Sequence, residues 1–325
     1  TLGSIRDELL MLSADKLYSY STKLTQWQER GDQSTASTRI EHITASTDSS
    51  TNDVDVIVQN GVRAAVWSEG STVYLEAFDN DTLVPVYDKT AFASTTRGHR
   101  LASVQGNIYV FYTDTGDNTL YVLRLPVSNP TNTSTTSLVT DVDTVFFDVH
   151  GDGTNMYVLY KEVSATNVTV IKIDGEVSAI ITRTFGSLAP DNSKSMAIHT
   201  FDSTSESKSL ACFGWTEGTA VKGLILDEFL STVVSAATVQ TAGATPDSLV
   251  IVANSTDGST VGYYTGVTAG NTYDYSTILA TVTISSGSAA TSTFLRSVSP
   301  ASKGVYRDGV GYFNVLHDST LQPTY

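Results

Sequence analysis

Five histidines are the first residues to consider for metal binding or acid–base chemistry in this chain of 325 residues. Histidines that bind one metal ion from a helix stand four residues apart, and none of the five has such a neighbour. No serine lies in the G-x-S-x-G context of a hydrolase nucleophile. The spacing therefore predicts core-filling or surface roles, and no zinc site, for His42, His99, His150, His199 and His317.

The segment from Asp148 to Gly153 has part of the spacing of a calcium-binding loop. In such a loop, D-x-D-x-D-G, alternate side-chain oxygens point at the cation and the glycine permits a sharp turn. His150 stands in place of the middle carboxylate, and Leu159 stands in place of the closing glutamate of a twelve-residue loop. We therefore favour a plain hairpin turn here, with calcium binding as the alternative. The acidic segment 114–118 is equally typical of a turn.

A glycoside hydrolase would need two carboxylates facing each other across one pocket, and spacing along the chain does not identify such a pair. The turn 113–116 resembles part of the Asp-box of sialidases, but the Thr-Trp pair that should follow it is absent. A sialidase also needs three arginines for the substrate carboxylate, and no convincing set stands out among the 19 Lys and Arg residues. We predict no catalytic, cofactor-binding or metal-binding residues, and no enzymatic activity.

Cys212 is the single cysteine, so the chain forms no internal disulfide and no zinc site built on several thiolates. It stands in an apolar run, 210–213, which predicts a small buried hydrophobic side chain. Glycosylation sequons also occur, and in a chain so rich in Ser and Thr we attribute them to chance. They begin at Asn80, Asn132, Asn167 and Asn254.

The formal net charge of −15, with a pI of about 4.6, argues against a surface that adheres to nucleic acid. An acidic wall is still compatible with DNA that slides past without sticking, and simple solubility is the alternative explanation. No apolar run approaches transmembrane length. The start, residues 1–4, has no signal-peptide pattern, and the missing initiator Met indicates a processed chain or a piece of a longer one.

Residues 53–79 predict three short strands separated by turns, in the sequence DVDVIVQNGVRAAVWSEGSTVYLEAFD. The Asn-Gly pair at 60–61 is a strong hairpin indicator. Both faces of the middle strand, 62–67, are largely apolar, whereas an antiparallel sheet around one core usually has a wet face. Such a strand requires sheets stacked on both sides, as in a propeller or a multi-layer sandwich. We therefore expect Trp67 and Phe78 to be packed between sheets.

Similar units recur along the chain, starting near residues 100, 144, 196 and 249, with strand candidates before the first of them and a short last unit at 304–316. Their starts lie about 45–50 residues apart, which is typical of four-stranded propeller blades. Aromatic residues recur at strand positions, and we interpret them as packing between blades and not as a platform for sugars. They are Tyr109, Phe111, Tyr157, Tyr263 and Tyr264.

The sequence thus predicts an all-β fold, a β-propeller-like repeat of antiparallel meanders with six or seven blades. Residues 1–325 would form a single domain, in which the partial units 1–45 and 297–325 close the ring and so remove the exposed sheet edges. A multi-layer β-sandwich is the alternative.

Two stretches, ELLMLSADKLYSYSTKLTQWQERG (8–31) and DVDVIVQNGVRAAVWSEG (53–70), carry a resemblance to a known family. They combine an apolar strand, a Leu-Tyr-x-Tyr strand, a Trp before Arg-Gly, and a Gly-Val-Arg-x-x-Val-Trp hairpin. In these features the chain resembles the propeller-bearing part of the tail nozzle (tail tubular protein B-like) proteins of short-tailed bacteriophages. The resemblance covers about the first 90 residues, and beyond them only the architecture matches.

The resemblance implies a non-enzymatic structural protein of the virion tail, without catalytic residues or cofactors. Copies of the chain would form a six-fold ring at the distal end of the tail, beside adaptor and fibre proteins, and viral DNA would pass through as non-specific cargo. The alternative function is a carbohydrate- or receptor-binding propeller module, and a glycoside hydrolase comes third.

Overall fold

The computed structural model describes much of the chain between residues 2 and 314, and it describes side chains only within 55–290. The described residues are 2–5, 8–13, 16–21, 26–32, 54–59, 61–69, 72–79, 82, 84–94, 96–114, 116–129, 132–163, 167–186, 188, 190, 196–241, 246–253, 257–268, 275–297, 304–307 and 311–314.

In these residues the chain forms antiparallel sheets of four consecutive strands, which we call blades 1 to 6, and a final two-stranded sheet. The first three blades hold β1 (Leu2–Ile5), β2 (Glu8–Ser13), β3 (Lys16–Ser21) and β4 (Gln26–Asp32); β5 (Val54–Gln59), β6 (Val62–Glu69), β7 (Thr72–Asp79) and β8 (Pro85–Ser94); and β9 (Thr96–Val104), β10 (Asn107–Asp114), β11 (Leu120–Pro126) and β12 (Ser134–Val139).

The remaining blades continue the same meander. They hold β13 (Val142–Gly151), β14 (Met156–Glu162), β15 (Val168–Ile173) and β16 (Ala179–Phe185); β17 (Ala197–Ser203), β18 (Lys208–Glu217), β19 (Ala220–Asp227) and β20 (Thr232–Thr241); and β21 (Pro246–Ala253), β22 (Thr260–Thr268), β23 (Tyr275–Thr283) and β24 (Ser288–Ser297). The last sheet pairs β25 (Gly304–Arg307) with β26 (Gly311–Asn314).

From blade 2 onward, the first strand of each blade packs beside the first strand of the next. β5 packs beside β9, β9 beside β13, β13 beside β17, β17 beside β21, and β21 beside β25. The last strands of blades 3 and 4, β12 and β16, are largely exposed, whereas the second strands β10 and β14 are largely buried. First strands inside and last strands outside are the arrangement of a propeller, which confirms the predicted fold class.

Blades 3, 4 and 5 each send their two faces into two different hydrophobic cores. Along β10, Ile108 and Val110 pack toward blade 2, and Tyr109 and Phe111 pack toward blade 4, because side chains alternate along a strand. The cores between blades 4 and 5 and between blades 5 and 6 are built in the same way. The blades therefore stack because successive apolar residues along a strand point to opposite faces, and both faces are buried.

The segment 53–79 forms β5 to β7 of blade 2, as predicted. Gln59 pairs with Val62 across a two-residue turn, and Gly61 adopts a left-handed backbone with a φ of 77°. Trp67 and Phe78 are each only 2% exposed. Their burial confirms the expectation that neither side chain lies in solvent.

Some strand predictions were incomplete. The sequence pattern predicts no strand at β12 or β24, and it predicts the outer strand of blade 2 only over 83–87, whereas β8 spans Pro85–Ser94. The sequence pattern also predicts that Pro85 lies on an edge strand, where a missing N–H group is tolerated, and the position of β8 at the edge of its sheet confirms this. The sequence pattern also predicts a strand over 40–44, which falls outside the described residues, and closure of the ring by 1–45 and 297–325 stays a prediction.

Candidate functional site

A cleft of about 370 Å³ lies at the boundary between blades 4 and 5. It opens at the end of the blades where β13 turns into β14 and β19 turns into β20, so turns from both blades form its walls. Its lining combines carboxylate, hydroxyl and amide groups with one ammonium group and one aromatic ring. The lining residues are Asp152, Thr154, Asn155, Lys172, Asp202, Ser209, Glu228 and Phe229.

Phe229 is 67% exposed and stands on a turn that fixes its backbone. Asp227 N donates to the carbonyl oxygen of Ser231 at 2.9 Å. Asp227 Oδ1 accepts from the N–H groups of Phe229 at 3.0 Å and of Ser231 at 2.8 Å. An aspartate that bonds the backbone two residues on forms an Asx turn, which restricts the intervening residues. The turn therefore holds an apolar ring in solvent beside a polar cleft.

The same turn recurs in blade 4 at Asp174 to Ser178. Asp174 Oδ1 accepts from the N–H groups of Glu176 and Ser178, both at 2.9 Å. Its fourth residue, Val177, has a φ of 64°, and the corresponding Leu230 has a φ of 58°. Glu176 therefore occupies the position that Phe229 takes one blade later.

At the boundary between blades 3 and 4, this turn is bonded to its neighbour. Arg124 Nη1 lies 2.9 and 3.0 Å from the two carboxylate oxygens of Glu176. Tyr109 donates its hydroxyl to the carbonyl oxygen of Gly175 at 2.7 Å. Arg124 is the fifth residue of β11, and Lys172 is the fifth residue of β15. At the next boundary, Lys172 Nζ instead donates to the carbonyl oxygen of Glu228 at 2.9 Å.

The three carboxylates of the cleft differ in the hydrogen bonds that they accept. Asp152 Oδ1 accepts from the N–H groups of Thr154 at 2.8 Å and Asn155 at 2.6 Å, which shapes the β13–β14 turn. Asp202 Oδ1 accepts from the Ser209 hydroxyl at 2.6 Å. Glu228 makes no side-chain hydrogen bond to a residue in the described ranges. Within the described residues, Glu228 therefore offers both of its carboxylate oxygens to a ligand.

Tyr157 lies behind the cleft and is almost wholly buried. Burial, followed by the nearby Asp152 carboxylate, raises the pKa of the Tyr157 hydroxyl above its ordinary value. The Lys172 ammonium lies 5.4 Å from the centre of the Tyr157 ring, within the range of a cation–π contact. Tyr157 thus has the packing role between blades that its position in the sequence predicted.

Two of the five histidines meet at the boundary between blades 4 and 5. The rings of His150 and His199 are 4.6 Å apart between centroids and pack edge to face. His150 Nδ1 lies 2.7 Å from the Thr200 hydroxyl. His99 and His199 are buried, so their predicted core-filling role is confirmed, whereas the contact between His150 and His199 was not foreseen. His42 and His317 lie outside the described residues.

The predicted hairpin turn over Asp148 to Gly153 is wrong for its first four residues, which belong to β13. Asp148 is buried, and its Oδ1 lies 3.2 Å from Arg100 Nε. Its Oδ2 accepts from the N–H group of Ile198 at 2.9 Å. This side chain therefore joins blades 3, 4 and 5. Asp152 begins the turn itself.

For the described side chains, no group of three or more His, Cys, Asp or Glu residues is arranged to hold a metal ion. For the chain as a whole, the absence of metal, cofactor and catalytic residues stays a prediction. Cys212 is buried, as predicted, and its burial raises the pKa of the thiol. Asp114 forms a turn, since its Oδ1 accepts from Gly116 N at 2.7 Å.

Among the predicted aromatic residues, Tyr109, Phe111, Tyr157 and Tyr263 are buried in or beside the cores between blades, which confirms their packing role. The side chain of Tyr264 lies outside the described residues. Of the sequons, Asn167 donates its side-chain amide to Glu162 at 3.2 Å, and Asn80 and Asn254 are not among the described residues.

Sequence reasoning missed the cleft itself. Its lining residues look like ordinary turn residues, and they come from four separate places between 152 and 229. One indication was available in the sequence. The turns DGEVS (174–178) and DEFLS (227–231) share their first and last residues, and the second carries an aromatic residue where the first carries an acid.

No protein-family model and no curated protein matches the sequence. Solved structures match in shape only. Hsv2 from Kluyveromyces lactis is 9% identical over 92% of this chain and 86% of its own, with a TM-score of 0.48. The Dos1 propeller is 10% identical over 93% and 70%, with a TM-score of 0.49. The WD40 domain of SCAP from fission yeast is 10% identical over 91% and 74%, with a TM-score of 0.43.

The order of the strands and the packing of the blades define the class of this protein, an all-β, propeller-like repeat. The likenesses to solved structures carry nothing about function at such low identity. Within the part of the chain that is described, no helix is long and apolar enough to cross a membrane.

Proposed function

We propose that this chain is a non-enzymatic binding module, a propeller that holds a ligand in the cleft between blades 4 and 5. One observation carries the proposal: a rigid turn presents the exposed Phe229 ring beside a recess lined by polar groups. Binding sites combine an apolar contact surface with a few polar groups that fix the ligand's orientation. This is the receptor- or carbohydrate-binding function that the sequence offered as its alternative.

The proposal is tested by screening the chain against a glycan array and an array of short peptides. Phe229→Ala should weaken any specific binding, because it removes the apolar contact at the cleft. Val163→Ala is the matched control, since Val163 is a comparably exposed apolar residue, 51%, beyond the opposite end of β14. Equal loss with both variants, or no ligand on either array, would contradict the proposal.

The carboxylates of the cleft also make a glycoside hydrolase worth testing. Such an enzyme uses two carboxyl groups on either side of the glycosidic bond. Asp152 and Asp202 hold their own turns through Oδ1, which leaves Glu228 as the carboxylate without an internal hydrogen bond. The proposal therefore expects no release of nitrophenol from aryl glycosides. Turnover that is lost in Glu228→Gln would show an enzyme.

A structural role in a phage tail is the second proposal. Its support is the resemblance of about the first 90 residues to tail nozzle proteins, together with the net charge of −15, which suits a wall that DNA must not adhere to. It expects a six-fold ring of copies at the end of a virion tail, in contact with adaptor and fibre proteins. Native mass spectrometry and electron micrographs of the source particle test it. A monomer at every concentration, with no ring on the particle, would contradict it.

A further inference from the structure

The cleft between blades 4 and 5 carries an excess of negative charge. Three of its lining side chains are carboxylates, and Lys172 is the single cation among them. The Lys172 ammonium donates to the main chain at Glu228, so this hydrogen bond does not neutralise a carboxylate. A recess with low-dielectric walls focuses the field of its charges, and the net charge of −15 for the whole chain adds to it. The cleft therefore attracts cations and repels anions.

Glu228 and Phe229 supply two complementary contacts from one turn. The Glu228 carboxylate has no hydrogen bond to any residue in the described ranges, and the neighbouring Phe229 ring is exposed. A guanidinium or ammonium group donates charge-assisted hydrogen bonds to a carboxylate and is also attracted to the face of an aromatic ring. A neutral sugar would use the ring and the carboxylate, but not the charge.

The boundary between blades 3 and 4 shows how an acidic side chain on the matching turn is bonded there. The Arg124 guanidinium bonds both carboxylate oxygens of Glu176, on the turn that matches the turn of Phe229. At the boundary between blades 4 and 5, the position of Arg124 is taken by Lys172, which binds a backbone carbonyl group instead. Among the described residues, the Arg183 guanidinium donates to the Leu230 carbonyl oxygen and to the Thr232 hydroxyl further along this turn, and no guanidinium bonds the Glu228 carboxylate.

We propose that the cleft binds a basic side chain, an arginine or a lysine, on an extended segment of a protein partner. The inference rests on the proposed binding function and names its ligand class. The partner's cation would bond the Glu228 carboxylate and lie against the Phe229 ring, in the way that Arg124 bonds Glu176 within the chain. The volume of about 370 Å³ suits one such side chain and its backbone, since it lies at the small end of ligand sites.

Fluorescence anisotropy with the full chain tests the inference. The probe is a fluorescein-labelled heptapeptide of alternating glycine and arginine, and the control peptide has citrulline, which is uncharged and of similar shape, in place of arginine. The arginine peptide should bind more tightly. Its affinity should fall as the ionic strength is raised from about 0.01 M to about 0.15 M, because salt screens the attraction.

Variants locate the binding. Glu228→Gln should weaken the arginine peptide roughly 2–5-fold, and Phe229→Ala should do so by a similar factor, as expected for an exposed ion pair and an exposed cation–π contact. Glu176→Gln is the matched control, because it removes the same charge from the corresponding turn of blade 4. The affinity of Glu176→Gln for the arginine peptide should equal that of the wild type. Equal weakening by Glu176→Gln, or equal affinity for the citrulline peptide, would overturn the inference.

The glycan array separates the two levels of the proposal. Binding of a neutral oligosaccharide that is lost in Phe229→Ala, with no preference for the arginine peptide, would overturn the cationic ligand and leave the binding function standing. Absence of binding to both the peptide and the array would overturn both.

Discussion

Arg100 and Asp148 form a buried ion pair, because both side chains are less than a tenth exposed. Arg100 belongs to blade 3 and Asp148 to blade 4, and the same carboxylate accepts the N–H group of Ile198 in blade 5. Removing one member of such a pair leaves the other charge buried without compensation. The side chain of Asp148 thus joins the first strands of three blades.

We expect Asp148→Asn to lower the free energy of unfolding by about 3–5 kcal/mol, because it removes the carboxylate charge that faces the Arg100 guanidinium in a buried place. Urea denaturation measures the change. Asp143→Asn is the control on the same strand: Asp143 lies 3.4 Å from Lys161, and both side chains are partly exposed. That pair should contribute less than about 1 kcal/mol. Similar losses for both variants would contradict the structural role of the buried pair.

His199 should make stability depend on pH. Burial, and then the neighbouring His150, hold the pKa of His199 well below its usual value, so the ring is neutral in the folded chain. An unfolded histidine has a pKa of about 6.5, so below that pH the unfolded chain binds a proton that the folded chain does not. Stability is therefore complete above about pH 6.5 and falls as the pH decreases, by up to about 1.4 kcal/mol per pH unit for one proton.

The measurement is urea denaturation of the wild type and of His199→Gln between about pH 7 and pH 5. The variant should lose less stability over this range, because it lacks the group that takes up the proton. Parallel profiles for the two proteins would show that His199 does not titrate between the folded and unfolded states.

Blades 5 and 6 pack closely where a pair of glycines on blade 5 faces an aromatic ring of blade 6. Gly214 on β18 pairs with Gly223 on β19, and the buried ring of Tyr263 from blade 6 lies against both. A Cβ atom added at Gly223 would lie 2.8 Å from the Tyr263 hydroxyl oxygen and 2.8 Å from Val239 Cγ1. Both glycines are needed because no space exists for a side chain beneath this ring.

We expect Gly223→Ala to destabilise the chain by about 1–3 kcal/mol through overpacking. Gly186→Ala is the control, since a Cβ atom there would lie 3.7 Å from Asn167 Oδ1, an ordinary contact. It should change stability by no more than about 1 kcal/mol. Thermal and urea unfolding measure both. A Gly223→Ala protein as stable as the wild type would show that the Tyr263 ring has room to move aside.

Over the whole molecule, the net charge of −15 opposes compaction, because like charges repel one another. The buried inter-blade cores outweigh this repulsion. The same charge steers cationic groups toward the propeller. Charge and cleft therefore favour the same kind of ligand.

We expect added NaCl to raise the melting temperature, because salt screens the repulsion between exposed carboxylates and leaves buried pairs largely unaffected. Between about 0.01 M and 0.15 M the rise should be roughly 1–3 °C, which corresponds to about 1 kcal/mol. Differential scanning calorimetry measures it. A melting temperature that falls with salt would show that attractive ion pairs at the surface outweigh the repulsion.

The local features of the fold were predictable because they depend on neighbours in the chain. The Asn-Gly pair at 60–61 predicted the hairpin of blade 2, and the two apolar faces of 62–67 predicted that this blade packs against other sheets. The outer strands Ser134–Val139 and Ser288–Ser297 escaped because strands at an exposed edge need no apolar pattern. Strand positions thus follow from periodicity wherever burial imposes it.

The cleft and the histidine pair were decided by the tertiary structure. His150 and His199 stand 49 residues apart, about one blade, and they meet only because consecutive blades stack. The residues of the cleft come from turns and strand ends of two blades, and each turn by itself resembles any other polar turn. The sequence encodes the two-sided apolar strands that build the blades, and the packing of blade 4 against blade 5 then brings Asp152, Glu228 and Phe229 around one recess.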